Sequence, residues 1–219
     1  MRDLVPPQFE IDTFDGSAWI AVVPFLMSGI RFHYLPPVPP YHKTLELNVR
    51  TYVRYRGRPG VYFFSLDAEK RLIVETARRW YDLPYYMARM QMQRATYVRY
   101  ESCRTHAGSP PAEFRGLYRP VGEPTRSAPG SLESFLTERY CLYTIDRQKR
   151  VNVGEIDHQP WPLQTAESEF EQNTMTAGLG LELRGPPLLH YAESIDVKLW
   201  PPVAAGSYSE AFRGLEPDR

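Results

Sequence analysis

The segment LELNVRTYVRY, residues 45–55, constrains the fold most, because polar and apolar side chains alternate along it. The odd-numbered positions Leu47–Val53 are apolar or small, whereas most even-numbered positions in Glu46–Arg54 are polar. A period of two predicts a β-strand whose two faces meet different surroundings. The turn sequence RGRPG and the segment VYFFSLDA follow directly. Together they predict an antiparallel hairpin.

Other segments repeat this pattern of short strands and turns. Asp15-Gly16 predicts a further hairpin turn, and the 21 prolines favour interrupted strands over long helices. The sequence predicts three short helices: residues 68–81 with Asp67 as the cap, 131–140 capped by Ser131, and one within 158–173. We therefore expect a mostly β (α+β) fold, with a single domain over residues 1–202 and a loosely ordered tail over 203–219.

Composition excludes several classes of function. The 26 basic and 26 acidic residues balance, so no net field attracts nucleic acid or an anionic membrane. The chain starts without a signal-peptide pattern and has no apolar run of membrane-spanning length. Cys103 and Cys141 lie apart in apolar strands, which predicts buried, inert thiols in a reducing compartment. We expect a cytoplasmic protein.

Cofactor and metal motifs are missing from the sequence. The five histidines have none of the spacings typical of metal ligands. The chain also has no GxSxG elbow, no GxGxxG fingerprint after a strand and no phosphate-binding loop. We therefore expect no metal and no cofactor.

The polar row Glu46, Asn48 and Arg50 is the constellation most relevant to function. These side chains share one face of a strand over roughly 13 Å. On an open sheet the row is simply the solvent face. On a closed or strongly curled sheet the same row lines an interior, where a carboxylate beside an arginine is a binding or acid–base pair.

Three stretches resemble the YqjF-like family, a bacterial family of unknown function. They are FDGSAWIAVVPFLMSGIR, LELNVRTYVRYRGRPGVYFFSLDA and ARRWYDLPYYMARM, with a weaker extension through ERYCLY and HQPWPL. The strongest match covers residues 5–105. Members of that family tend to have a further strand and helix before the segment LVPPQFEIDTFDG. The resemblance thus implies that this chain lacks the family's N-terminal strand, which either leaves a sheet edge uncovered or indicates a truncated gene model.

That family is in turn distantly similar to acetoacetate decarboxylase. The fold of this enzyme is a curled antiparallel sheet or barrel that encloses an apolar cavity. The resemblance implies that the active-site glutamate falls at Glu46 and a basic substrate-binding residue near Arg31. The decarboxylase has two adjacent lysines, one of which forms a Schiff base, and these fall at Tyr85 and Tyr86. A phenol cannot form an iminium with a ketone, so the resemblance implies no Schiff-base decarboxylation.

Three functions follow as expectations. The first is a cavity that binds a small organic carboxylate or keto compound, with Glu46, Tyr85 or Tyr86 as the acid–base groups and Arg31, Asn48 and Arg50 as ligand-binding groups. The second is a non-covalent lyase, hydratase or isomerase with Glu46 as general base and a tyrosine as acid. The third is a non-catalytic module that forms a homo-oligomer through exposed strands. The sequence leaves all three open.

Overall fold

A computed structural model describes residues 1–29 and 43–205, and strands dominate it. The strands are β1 (Glu10–Ile11), β2 (Thr13–Phe14), β3 (Ser17–Ala18), β4 (Ile20–Ser28), β5 (Lys43–Tyr55), β6 (Arg58–Ala68), β7 (Tyr85–Arg94), β8 (Val98–Arg104), β9 (Glu113–Arg126), β10 (Cys141–Ile145), β11 (Val151–His158), β12 (Pro162–Asn173), β13 (His190–Tyr191), β14 (Val197–Leu199) and β15 (Val203–Ala204). The helices are α1 (Arg71–Trp80) and α2 (Leu132–Thr137), with 3₁₀ turns at Arg2–Leu4 and Ala177–Leu179. The expected mostly β fold is confirmed.

Thirteen of the strands form one large mixed sheet. Its main path runs β13-β12-β9-β8-β7-β6-β10-β11-β14, while β5 pairs with β6 and also with β1 and β4. The sheet is mixed, with β6 parallel to both β7 and β10 and its other neighbour β5 antiparallel. The reason is the crossover through α1, which returns the chain to the same end of the sheet before β7 begins. Within the described residues this path has two ends and does not close into a barrel.

The β5–β6 hairpin has the predicted turn and the predicted faces. Arg56 and Gly57 adopt positive φ angles of 51° and 79°, the conformation of a two-residue hairpin turn. The ladder shifts register where Phe64 of β6 has no partner between Val49 and Arg50. Because this extra residue lies on β6, the alternation along β5 is uninterrupted, and its even-numbered side chains keep to one face.

Both faces of β5 are covered. On the odd-numbered face, Leu47 and Val49 belong to a core cluster with side chains of β7, β8 and β9. On the even-numbered face, Tyr52 belongs to a second cluster with Leu66 of β6 and Val74 of α1. A strand covered on both sides carries its polar residues into the interior, so the polar row of β5 does not face solvent.

The predicted helix cap at Asp67 is wrong. Asp67 is the penultimate residue of β6, wholly buried, and α1 begins at Arg71 after Lys70, with no side-chain cap. The carboxylate of Asp67 instead binds Arg104, at 2.7 Å. On α1, Val74 is buried whereas Trp80 is 68% exposed.

Three further predictions have mixed outcomes. Ser131 does cap α2, since its Oγ accepts a hydrogen bond from the Ser134 N–H at 3.2 Å. The helix expected within residues 158–173 is wrong, because Pro162–Asn173 form β12 along β9. Residues 203 and 204, assigned to the tail, form a short strand on β11, and residues 206–219 lie outside the described parts.

No described helix has the length and apolar character needed to cross a membrane.

Candidate functional site

The candidate site centres on a hydrogen bond between two buried side chains, Glu46 of β5 and Tyr85 of β7. The phenol of Tyr85 donates to Oε2 of Glu46 at 2.8 Å. Glu46 is 3% exposed and Tyr85 is 9% exposed. Strand β6 lies between their strands, with Ala68 beside Glu46 and Leu66 beside Tyr85. Even-numbered residues of β5 and the first residue of β7 therefore meet on one face of the sheet.

Burial controls the charge of this pair. It raises the pKa of Glu46 from 4.5 to about 7, although hydrogen bonds from Tyr85 and Asn48 act in the opposite direction. Burial, followed by the nearby Glu46 carboxylate, raises the pKa of the Tyr85 phenol well above its usual value of 10. At neutral pH the site thus holds a carboxyl group that is close to half ionised and a phenol that keeps its proton.

Tyr100 of β8 holds the backbone of the site. Its phenol donates to the backbone oxygen of Glu46 at 2.7 Å and lies 3.2 Å from the backbone oxygen of Phe25. Tyr100 is fully buried. It fixes Glu46 from the odd-numbered face of β5 while the Glu46 side chain points to the even-numbered face. Nothing in the local alternation around Tyr100 distinguishes it from an ordinary core residue.

Asn48 and Arg50 extend the polar row away from Glu46. Asn48 is 5% exposed, and its Oδ1 accepts no hydrogen bond in the described structure. Arg50 donates through Nη2 to the backbone oxygen of Leu136, at the end of α2, at 3.2 Å. Its Nε is buried without an acceptor among the described residues. Both side chains hold hydrogen-bonding capacity that the described protein leaves unused.

Tyr86 lies on the opposite face from Tyr85. It neighbours Asp67 in the parallel ladder, and the Arg104 guanidinium lies 4.2 Å from its ring centroid. The ring of His106 contacts it edge-on. Tyr86 therefore belongs to the cluster around the Asp67–Arg104 ion pair, and the structure does not bring it to Glu46. Arg31, the other predicted ligand-binding residue, lies outside the described residues.

No primary amine lies in this interior. All four lysines are in described parts of the chain: Lys70 is partly exposed and Lys43, Lys149 and Lys198 are exposed. Residues 1–29 and 43–205 contain no cluster of three or more His, Cys, Asp or Glu side chains that could hold a metal ion. The chemistry available on the Glu46 face is proton transfer and hydrogen bonding.

Two surface features lie elsewhere. A cavity of about 100 Å³ is lined by residues of β6, of β10 and of the loop before β7, including Leu83 and Thr144. A groove of about 380 Å³ follows the N-terminal residues 3–8. Neither has Glu46 or Tyr85 in its lining. We place the candidate site at the Glu46 face because that face, unlike these two, combines buried titratable groups with unmet hydrogen-bonding atoms.

Comparisons with known structures show the fold. A structure of the enduracididine biosynthesis enzyme MppR, complexed with the condensation product of pyruvate and imidazole 4-carboxaldehyde, matches with a TM-score of 0.52 at 10% identity. The match covers 90% of this chain and 75% of that one. A structure of acetoacetate decarboxylase matches with a TM-score of 0.50 at 11% identity, covering 92% and 81%. The expected acetoacetate decarboxylase-like fold is confirmed.

Sequence comparisons show the family. The uncharacterized protein YqjF of Bacillus subtilis (strain 168) is 45% identical over 203 residues, which cover 92% of this chain and 83% of YqjF. The family model described as "Uncharacterized conserved protein" matches residues 1–196. The expected YqjF-like resemblance is confirmed, and the chain belongs to this family of uncharacterized conserved proteins, DUF2071.

Proposed function

We propose that the protein binds a small organic molecule with a carboxylate or keto group on the Glu46 face, without forming a Schiff base. The observation that carries the proposal is the buried Glu46–Tyr85 hydrogen bond beside Asn48, whose Oδ1 has no donor among the described residues. Buried polar groups in proteins nearly always have partners. A ligand hydroxyl donates to Asn48 Oδ1, whereas a ligand carbonyl or carboxylate oxygen accepts from Arg50 Nε, which also has no partner among the described residues.

The fold supports the choice of ligand class. One structure with this fold is MppR complexed with pyruvate, at a TM-score of 0.50. In our proposal Tyr85 and Tyr86 occupy the positions of the decarboxylase lysine pair. A neutral phenol there donates its hydrogen bond to a carbonyl oxygen in place of the Glu46 carboxylate, but it cannot condense with the carbon.

A thermal-shift panel tests the proposal. We expect pyruvate or 4-oxopentanoate to raise the melting temperature of the wild type, and Tyr85→Phe to reduce that shift. Tyr97→Phe is the matched control, because it removes a phenol that is 44% exposed. If no keto acid stabilises the wild type, or if Tyr85→Phe responds like Tyr97→Phe, the proposed site is wrong.

Borohydride reduction separates the proposal from covalent catalysis. We expect no increase in mass when the protein is reduced in the presence of pyruvate, because none of its lysines lies in the interior. A lysine adduct identified by peptide mass spectrometry would contradict this proposal and restore a Schiff-base mechanism.

A non-covalent acid–base enzyme is the second candidate, favoured by the pKa of Glu46 at about 7. A group with a pKa near the working pH is well suited to accept and return protons. Such an enzyme removes a proton from the carbon beside the keto group. Exchange of those protons in heavy water, followed by ¹H NMR, detects this step without knowledge of the natural substrate. The enzyme hypothesis predicts catalysed exchange that Glu46→Gln abolishes while the fold persists.

A further inference from the structure

Arg50 differs from its neighbours in the way its charge is balanced. Four other described arginines near it in the sheet or beside α2 meet a carboxylate within 2.8 Å: Arg54 and Arg139 bind Asp12, Arg58 binds Glu155 and Arg104 binds Asp67. Among residues 1–29 and 43–205, Arg50 donates to the backbone oxygen of Leu136, and its guanidinium carbon lies 5.9 Å from the centroid of the Tyr52 ring. Among the described residues no carboxylate forms an ion pair with Arg50, although the residue is half-buried.

Trp19 provides a second unmet donor on the same face. Its indole Nε1 is buried and has no acceptor in the described structure. Thr51 Oγ1 donates to the backbone oxygen of Trp19 at 2.8 Å, which fixes the indole-bearing residue against β5. Ala21 lies opposite Arg50 in the ladder, and Trp19 and Ala21 pack against the core cluster that contains Tyr52. Trp19 and Arg50 are therefore neighbours on the even-numbered face of β5.

Two buried N–H donors without an acceptor select the chemistry of what binds them. Guanidinium and indole groups donate hydrogen bonds and cannot accept them. A carboxylate is an acceptor only, and its negative charge matches the uncompensated positive charge of Arg50. A neutral or cationic group at this position leaves at least one of these requirements unmet.

We infer that Arg50 and Trp19 form a subsite for the carboxylate of the ligand, on the same face of β5 as the Glu46–Tyr85 pair. The inference rests on the proposed function and specifies its ligand. Arg50 lies four residues along β5 from Glu46, roughly 13 Å of strand. The subsite therefore takes the carboxylate of a keto or hydroxy acid.

Indole NMR tests the subsite directly. The four tryptophans give four indole N–H signals in ¹⁵N-labelled protein, and Trp19→Phe assigns the relevant one. If that variant does not fold, Trp80→Phe, Trp161→Phe and Trp200→Phe assign the other three. We expect 4-oxopentanoate to move the Trp19 signal, while 2-pentanone, which lacks the carboxylate, leaves it in place. The signal of Trp80, which is 68% exposed, is the internal control and stays unmoved.

Variants of Arg50 provide the second readout. We expect Arg50→Met to weaken binding of 4-oxopentanoate by about tenfold or more, because a hydrogen bond to a charged group is lost. Arg50→Lys keeps the charge but loses the Nε donor, so it retains part of the affinity. Equal affinity of the wild type and Arg50→Met for this acid overturns the subsite.

The outcomes distinguish the subsite from the proposed function. If 4-oxopentanoate binds and Tyr85→Phe weakens it while the Trp19 signal stays still, the subsite is wrong and the Glu46 site stands. If the Trp19 signal moves but Tyr85→Phe and Glu46→Gln leave affinity unchanged, the subsite stands and the Glu46 site is wrong. If neither the Trp19 signal nor the melting temperature responds to 4-oxopentanoate, both are wrong.

Discussion

At the scale of single residues, ionisation of Glu46 makes the free energy of unfolding depend on pH. Its pKa in the folded protein is about 7, compared with an ordinary value of 4.5. The folded state therefore holds this proton more tightly than the unfolded chain does. The resulting stabilisation is complete below about pH 4.5 and is lost as the pH rises through 7; it amounts to roughly 3 kcal/mol.

Glu46→Gln tests this linkage, because an amide cannot ionise. We expect urea unfolding of the wild type to show a fall in the free energy of unfolding between pH 5 and 8 that the variant lacks. Other groups titrate in both proteins, so the difference between the two curves is the relevant quantity. Parallel curves over that range would show that Glu46 has an ordinary pKa.

Asp67 and Arg104 form a buried ion pair that single substitutions can examine. Asp67 is wholly buried and the Arg104 side chain is 7% exposed. Asp67→Asn leaves the guanidinium buried without its anion, and we expect a loss of about 3–5 kcal/mol in the free energy of unfolding. Glu167→Gln, which breaks an exposed pair with Arg119, is the matched control and should cost less than about 1 kcal/mol. Similar losses in the two variants would contradict the buried role of Asp67.

At the scale of elements, α2 positions the backbone oxygen of Leu136, which accepts a hydrogen bond from Arg50. Ser131 caps this helix through the Ser134 N–H. We expect Ser131→Ala to lower the free energy of unfolding by about 1 kcal/mol, and Ser131→Asp, which keeps an acceptor, to lose less. Urea unfolding of both variants checks this. An alanine variant as stable as the wild type would show that the cap does not hold α2.

The contact between β6 and β10 depends on the absence of a side chain at Gly60. A Cβ atom added at Gly60 would lie 2.5 Å from Cε2 of Tyr143 and 2.8 Å from the backbone oxygen of Cys141. We expect Gly60→Ala to destabilise the protein by about 1–3 kcal/mol, because the two strands must separate. Gly178→Ala is the control, since its nearest neighbour is 3.7 Å away. Equal melting temperatures for the two variants would contradict the close approach of β6 and β10.

Local sequence predicts elements whose pairing is also local. The β5–β6 hairpin follows from alternation and a two-residue turn, and the cap of α2 follows from Ser131. The start of α1 could not be predicted, because the Asp67 carboxylate forms an ion pair with Arg104, which lies 37 residues away in sequence. Strand β12 was missed although Glu167, Glu169 and Glu171 occupy every second position. Its partner β9 is distant in the chain, and glutamate is depleted in strands.

The candidate site was predictable in part for similar reasons. Alternation along β5 identifies Glu46, Asn48 and Arg50 as neighbours, and two adjacent tyrosines on a strand must point to opposite faces. Which of Tyr85 and Tyr86 meets Glu46 depends on the parallel register of β6 and β7, which local sequence does not specify. Trp19 and Tyr100 were missed because their roles depend on contacts with β5 and β4 that no spacing reveals.

At the scale of the whole molecule, the mixed sheet places a row of polar side chains inside the protein. Strand β14 lies at one end of the main sheet path and exposes Val197 and Leu199. Homo-oligomer formation through exposed strands stays a prediction, which light scattering of the purified protein checks. A monomer at all concentrations would contradict it without affecting the buried site.

The buried row is the central claim, and the titration of the Glu46 side-chain carboxyl by ¹³C NMR tests it most directly. The measurement is made with 4-oxopentanoate absent and then at saturation, with Glu46→Gln to assign the signal. We predict a midpoint near pH 7 in the free protein and a clear displacement of that midpoint when the acid is bound. A midpoint near 4.5 that the acid does not change would place Glu46 in solvent and contradict the site.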